Sequence, residues 1–275
     1  MTDRLSYYAM TGQKPSPSRR AKTLLARLAA AALGGAFWHD GSAFRGKRIV
    51  VVGPADTAAR HFSPARIDAY DLVVRVNSSL DLVENARGAL GTRTDVLYHN
   101  LKEHGERSTG PIRSEALAAQ GTHLIVCPTP TDEKLAVILK AKARYARLGR
   151  RIPALRRLQV RATPRHEYAA LCELLDGYWP TTGLACIYSV LQSDFAELAI
   201  SGFSFYTTGY APGYQQQLSS PAEVEAWTAQ NVVHKTSLEK DVFCRVVDEA
   251  RRSGKNVVLD PLLASFLTDR LEQRT

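Results

Sequence analysis

An α/β fold built on a mostly parallel sheet is predicted by three features of the sequence. From Lys47 onward, short β-branched runs alternate with stretches of helical period. The runs are mostly continuous in their apolar residues, as in Ile49-Val50-Val51-Val52, which is expected of strands covered on both faces rather than of alternating ones. Several of them end in a glycine or a polar residue, where a parallel sheet turns into its next helix and gathers a ligand.

The elements follow in order. Residues 1 to about 20 are polar, with Pro and Ser (Lys14-Pro15-Ser16-Pro17-Ser18), and read as a disordered tail. An Ala/Leu-rich stretch over 23–38 follows Arg19-Arg20-Ala21-Lys22. Its charged lead is too long for a signal peptide, Arg27 interrupts it, and it is too short to cross a bilayer. With Leu24, Leu25, Leu28 and Phe37 on one side, it could lie on a membrane surface or dock onto the domain. The first strand, Arg48–Val52, runs into a turn at Gly53 and makes the fold Rossmann-like. Ser63-Pro64 opens a short helix, with Pro at its first position. Leu72–Val76 is the second strand, and 95–98 and 123–127 are the third and fourth. Helices are predicted over 132–148, 165–175 and 184–191, then a strand over 197–201. Leu238, Val242, Val246 and Ala250 repeat at helical spacing in a helix over 238–252, before a closing strand at 256–259. The organisation is therefore a tail and amphipathic helix over 1–45 and a single domain over 46–275, with a basic helical lid inserted at 130–178.

Charge narrows the partners. The chain carries a net charge of +9, which favours an anionic ligand or surface. Ten basic residues from Lys140 to Arg165 follow one another with no acidic residue among them, forming either a solvated helix face or a wall that attracts a phosphorylated ligand. Cys127, Cys172, Cys186 and Cys244 are widely spaced and lack Cys-x-x-Cys pairs, so they read as reduced core thiols in a reducing, cytoplasmic setting.

Four groups of residues fall at strand ends. Gly53-Pro54-Ala55 gives either close backbone approach to a ligand or a plain turn. Asn77, closing Arg75-Val76-Asn77, could bond a base or ribose or simply satisfy the turn. Pro180-Thr181-Thr182-Gly183 precedes a helix, where hydroxyls and open N–H groups make an anion site, or only a cap. Tyr206, Tyr210 and Tyr214 follow Gly202-Phe203 in a loop whose hydroxyls could close over a phosphate. His234 stands just ahead of the 238–252 helix, whose positive end disfavours imidazolium and suits a general base. Thr236 and Glu239 have capping-box spacing, which assigns Glu239 a structural role.

In sequence order these pieces resemble the sialyltransferases over about residues 47–250. The Val-Val-Gly turn, the run Asp71 to Asn77 and Gly91-Thr92-Arg93-Thr94-Asp95 look like the long motif of the eukaryotic-type family. Pro180 through Gly183 with Gly202-Phe203 resembles its short motif, and His234 with Glu239 its final His…Glu pair. The same blocks resemble the smaller bacterial family. The resemblance implies a GT-A-variant domain in which Gly53, Asn77, Thr181, Thr182 and Gly183 contact the CMP part of a donor. Tyr206 and Tyr210 would then bond the leaving phosphate, with Tyr214 as an alternative to the second, and His234 would take the acceptor proton. The polar residue after the third strand would be His99 or Asn100, and Pro54 stands where these families place an asparagine.

The implied activity is inverting, metal-independent transfer of sialic acid or a Kdo-like acidic sugar from CMP to a glycan, with no cofactor. High Ala and Arg content looks bacterial, which would make the acceptor a lipopolysaccharide or capsule precursor, and residues 19–38 could contact the cytoplasmic membrane face or dock onto the domain. The alternatives are a nucleotide-binding α/β protein without transferase activity and a basic nucleic-acid module, against which the absence of any nucleic-acid motif weighs.

Overall fold

A computed structural model describes residues 16–105, 108–211, 214, 223 and 234–272. Most of the tail predicted over 1–20 lies outside the described residues. Helix α1 (Pro17–Leu33) is followed by β1 (Arg48–Val52), α2 (Ala58–His61), α3 (Pro64–Asp68), β2 (Leu72–Val76) and α4 (Ser79–Asn85). Next come β3 (Val96–Tyr98), α5 (Ser114–Ala119), β4 (Leu124–Cys127), α6 (Asp132–Leu148) and β5 (Gln159–Ala162). The chain closes through α7 (Arg165–Leu174), α8 (Thr182–Leu191), β6 (Glu197–Ser201), α9 (Thr236–Arg252), β7 (Val257–Leu259) and α10 (Pro261–Glu272).

Among the described residues, seven parallel strands form one sheet in the order β5-β4-β3-β2-β1-β6-β7. The chain winds outward from β1 to β5, then returns to the other side of β1 to add β6 and β7. Both faces are covered, so successive apolar residues of a strand are buried on opposite sides. Ile49, Val51, Val74 and Ile200 face α8 and α9, where Ile187, Val190, Phe243 and Val247 pack with them. Val50, Val52, Val73 and Ala199 face the other way, towards Ala58, Ile67 and Leu82. Phe243 is fully buried at the first of these contacts, and truncating it would cost about 3–5 kcal/mol. The four cysteines are free and buried.

Three parts differ from expectation. The strand β5 was hidden because only Val160 and Ala162 of Gln159–Ala162 are apolar and buried. Residues 130–178 are consequently not an inserted lid. They supply the crossover helix α6 and the edge strand β5, four strands away from β1. Helix α1 starts and ends earlier than expected, and Phe37 leaves its apolar side for the core, while Trp38 bridges Ala162 at the sheet edge. Residues of the predicted N-terminal unit are thus packed into the domain.

Candidate functional site

The order of the strands places a topological switch between β1 and β6, which leave the sheet's middle in opposite directions. A crevice opens there beyond the carboxyl ends, where open α/β sheets bind ligands. Gly53 and Gly202 end the two strands and interlock. A Cβ on Gly53 would stand 2.2 Å from the Gly202 carbonyl oxygen, and one on Gly202, at φ +75, 2.6 Å from Ala58 Cβ. Gly53 is therefore required by the neighbouring backbone. The loop after β6 is then stitched to the β1 turn: Ala55 N–H donates to Gly202 O (2.9 Å), Asp56 N–H to Gly209 O (3.1 Å) and Ala211 N–H to Pro54 O (2.8 Å). From beyond β7, the fully buried Asp260 accepts from Gly202 N (2.9 Å) and Leu263 N (2.9 Å), holding the loop and capping α10 together.

The pocket so framed encloses about 580 Å³ between its walls, open solvent at the mouth included. Pro54, Ala55 and Asn77 line one side, and Thr181, Thr182, Gly183 and Glu239 another. Tyr206, Tyr210 and Tyr214 complete it. Asn77 takes a left-handed backbone (φ 49), which Asn tolerates better than most residues. Its N–H donates to Tyr98 O (2.8 Å), while its buried Oδ1 has no hydrogen-bond partner among the described residues. No Lys or Arg lines the pocket among the described residues, so an anion there would meet N–H groups and hydroxyls rather than the chain's surplus positive charge.

The tyrosines owe their position to a strained turn. Thr207 N–H donates to Ser204 O (3.0 Å), and both central residues, Phe205 and Tyr206, have positive φ (46 and 68). Each such residue costs on the order of 1–3 kcal/mol. The ring of Phe205 offsets part of that by packing on Phe243 with centroids 4.9 Å apart, which leaves Tyr206 to the pocket. Tyr206 and Tyr210 meet edge to face with centroids 6.4 Å apart, and Tyr210 and Tyr214 are tilted at 44° with centroids 5.0 Å apart. Burial pushes the Tyr210 phenol up to about 12, with a hydrogen bond from Tyr206 pulling the other way, so both hydroxyls remain protonated donors at neutral pH.

The opposite wall is the N-terminus of α8. Thr181 is its N-cap, in extended backbone, with its hydroxyl oxygen accepting from Leu184 N. The first N–H groups of a helix lack intrahelical partners and carry its positive pole. Here the structure corrects the sequence reading of Glu239. The N-cap of α9 is Lys235, so Thr236 and Glu239 are not in capping-box register. The Glu239 carboxylate oxygens accept from Thr181 N (2.6 Å) and Thr181 Oγ1 (2.6 Å) on a different helix. Glu239 is buried on the pocket wall, and burial pushes its carboxyl up to about 7 against those two bonds. Nearby, His234 Nδ1–H donates to Trp179 O (2.7 Å), which fixes the tautomer and puts the basic lone pair on Nε2. Two contacts from the start of α9 therefore clamp the segment leading into α8.

Among the predicted residues, Asn77, Thr181, Thr182, Gly183, Tyr206, Tyr210 and Tyr214 come together. Gly53 lies directly behind the lining, and His234 stands just outside it. Neither His99 nor Asn100 reaches the pocket. Asn100 Oδ1 accepts from Lys102 N and Thr109 Oγ1 (2.8 Å each), and burial lowers His99 to about 4. The Thr92-Arg93-Thr94-Asp95 block proves to be a structural clasp. Fully buried Arg75 donates to the carbonyls of Leu90 and Arg93, and Arg93 reaches Asp95 and the carbonyls of Asp68, Tyr70 and Asp71. Glu239 and Asp260 were not selected for the site. The first was absorbed by a helix-capping pattern, and the second has no local signal, since its partner Gly202 is remote in sequence.

No protein-family model and no curated protein matches the chain in sequence. Solved structures are similar in fold. A mammalian sialyltransferase in complex with Gal-beta-1-3GalNAc-ortho-nitrophenol has a TM-score of 0.53 at 14% identity, over 92% of this chain and 82% of its own. A second structure of a mammalian sialyltransferase gives 0.52 at 15% identity, with the same coverage. The sialyltransferase CstII from Campylobacter jejuni, in complex with cytidine-5'-monophosphate, gives 0.48 at 13% identity, over 81% and 84%. At these identities what is shared is the fold.

Proposed function

We propose that the chain is a glycosyltransferase that moves an acidic sugar, sialic acid or a Kdo-like acid, from CMP to a glycan, with inversion and without a metal ion. The observation that carries this reading is the convergence, at the β1/β6 switch point, of Asn77, Thr181–Gly183, Tyr206 and Tyr210, which lie far apart in sequence. These are the residue types a nucleoside monophosphate leaving group needs. Helix N-terminal N–H groups and phenol hydroxyls take the charge that develops on the phosphate as the anomeric C–O bond breaks. Asn77 Oδ1, buried and unpartnered among the described residues, is an acceptor for a donor group on the base or ribose. That the fold is shared with sialyltransferases at a TM-score of 0.53 supports the same class.

In this mechanism the acceptor hydroxyl attacks the anomeric carbon from the face opposite CMP. His234 Nε2 takes its proton, and CMP departs with the bonding electron pair of the broken C–O bond. A thermal-shift series tests the nucleotide: CMP and CTP should stabilise the chain where UDP and ADP do not. Acceptor-dependent release of CMP from CMP-sialic acid or CMP-Kdo, unchanged by EDTA, tests the transfer. Equal stabilisation by all four nucleotides would refute the reading, and hydrolysis without transfer would favour a nucleotide-binding protein of other chemistry.

A further inference from the structure

Helix α1 is half committed. Ala26 and Ala30 are buried against α6, and Arg27 makes a two-pronged pair with Asp132 (2.9 and 2.5 Å), itself held by Arg165 (2.8 Å). The other side carries Leu24, Leu25 and Leu28, which are 57%, 66% and 59% exposed. A folded protein seldom leaves three adjacent leucines in water on a helix it has already fixed in place. At about 100° per residue, Arg20 falls some 40° to one side of Leu24 and Lys22 about 60° beyond Leu25. An apolar ridge with a cation on each flank is the arrangement of a helix that lies in a charged lipid interface, where long basic side chains reach up to the headgroups.

Its position also matters. Arg27 meets the first residue of α6, which starts just past the carboxyl end of β4, and Lys142 Nζ bonds Ala36 O farther along α6 (2.6 Å). The two helices therefore run in the same sense. Leu24, Leu25 and Leu28 lie level with the carboxyl edge of the sheet, the edge that also carries the pocket.

We propose that α1 seats Leu24, Leu25 and Leu28 in an anionic lipid surface, with Arg20 and Lys22 on the headgroups, and turns the pocket edge of the sheet towards that surface. The occupant is lipid, because the flanking charges are both positive and the chain as a whole carries +9. The contact stands apart from the transfer reading, which the nucleotide series tests without lipid.

The test is co-sedimentation of the full chain with vesicles of phosphatidylcholine alone or mixed with phosphatidylglycerol, at physiological ionic strength and at about 1 M salt. Binding should appear with the mixed vesicles and fall in high salt. Arg20→Gln with Lys22→Gln should weaken it about thirtyfold, at roughly a fivefold loss per charge. Leu24→Ser, Leu25→Ser and Leu28→Ser together should weaken it by about tenfold or more. All are exposed sites, so thermal unfolding of the variants should match the parent. Failure to bind mixed vesicles, equal binding to neutral ones, or undiminished binding of the leucine variant would each overturn the proposal. So would a dimer by light scattering that the leucine variant turns into a monomer, which would assign the ridge to a second copy of the chain.

Discussion

Replacing Glu239 with Gln separates a titrating site carboxylate from a structural one. Burial moves the carboxyl of Glu239 from its ordinary value of 4.5 to about 7 in the folded chain. Between those two values the folded state holds a proton that the unfolded state has lost, so stability must fall as pH rises through that window. One step of pKa is worth about 1.4 kcal/mol, so the full loss is roughly 3 kcal/mol, complete a little above pH 7. Gln keeps the shape and can still accept from Thr181 N and pair with its hydroxyl, but cannot ionise. Urea unfolding of both proteins at pH 4.5 and pH 8 gives the comparison. The parent should lose roughly 3 kcal/mol more than E239Q between the two. Parallel behaviour of the two proteins would refute the reasoning. If the pocket binds a phosphate beside this group, CMP binding near pH 7 should also take up protons in the parent and not in E239Q, which calorimetry in two buffers measures.

Three further outcomes are expected. His234→Ala should lower turnover by about a hundredfold or more and weaken the CMP-induced thermal shift far less, since the Glu239–Thr181 bonds still hold the pocket wall when the Trp179 contact is lost. Asp260→Ala should destabilise the chain by about 2–4 kcal/mol in urea unfolding, because a helix cap is lost and the Gly202 N–H is left buried without a partner. Gly53→Ala should prevent accumulation of folded protein, or displace the 202–211 loop and abolish CMP binding, because the added Cβ meets backbone at 2.2 Å.

Much of the fold is written locally. The apolar stretches Ile49–Val52, Leu72–Val74 and Leu198–Ile200 mark three strands covered on both faces, although Arg75 is buried within the second and Glu197 and Ser201 bound the third. Helix α6 was legible from its period, bounded by Asp132 and Leu148 as expected. The strand β5 was not, because an edge strand needs few apolar residues and Gln159–Ala162 has two. Within the site, Asn77, Thr181–Gly183 and the tyrosines were visible because each ends a strand or starts a helix, and such places advertise themselves through Gly, Pro, Thr and Asn.

The sequence by itself determined the parallel sheet, the strand ends that would carry chemistry and the kinds of group offered there. Tertiary structure alone decided which of these ends meet. The return of the chain across β1 set Gly53 against Gly202, and Glu239 was drawn from its own helix to Thr181 on another. Both depend on contacts between residues roughly sixty or more positions apart, where no local propensity or spacing carries information and only the packing of the sheet brings the partners together.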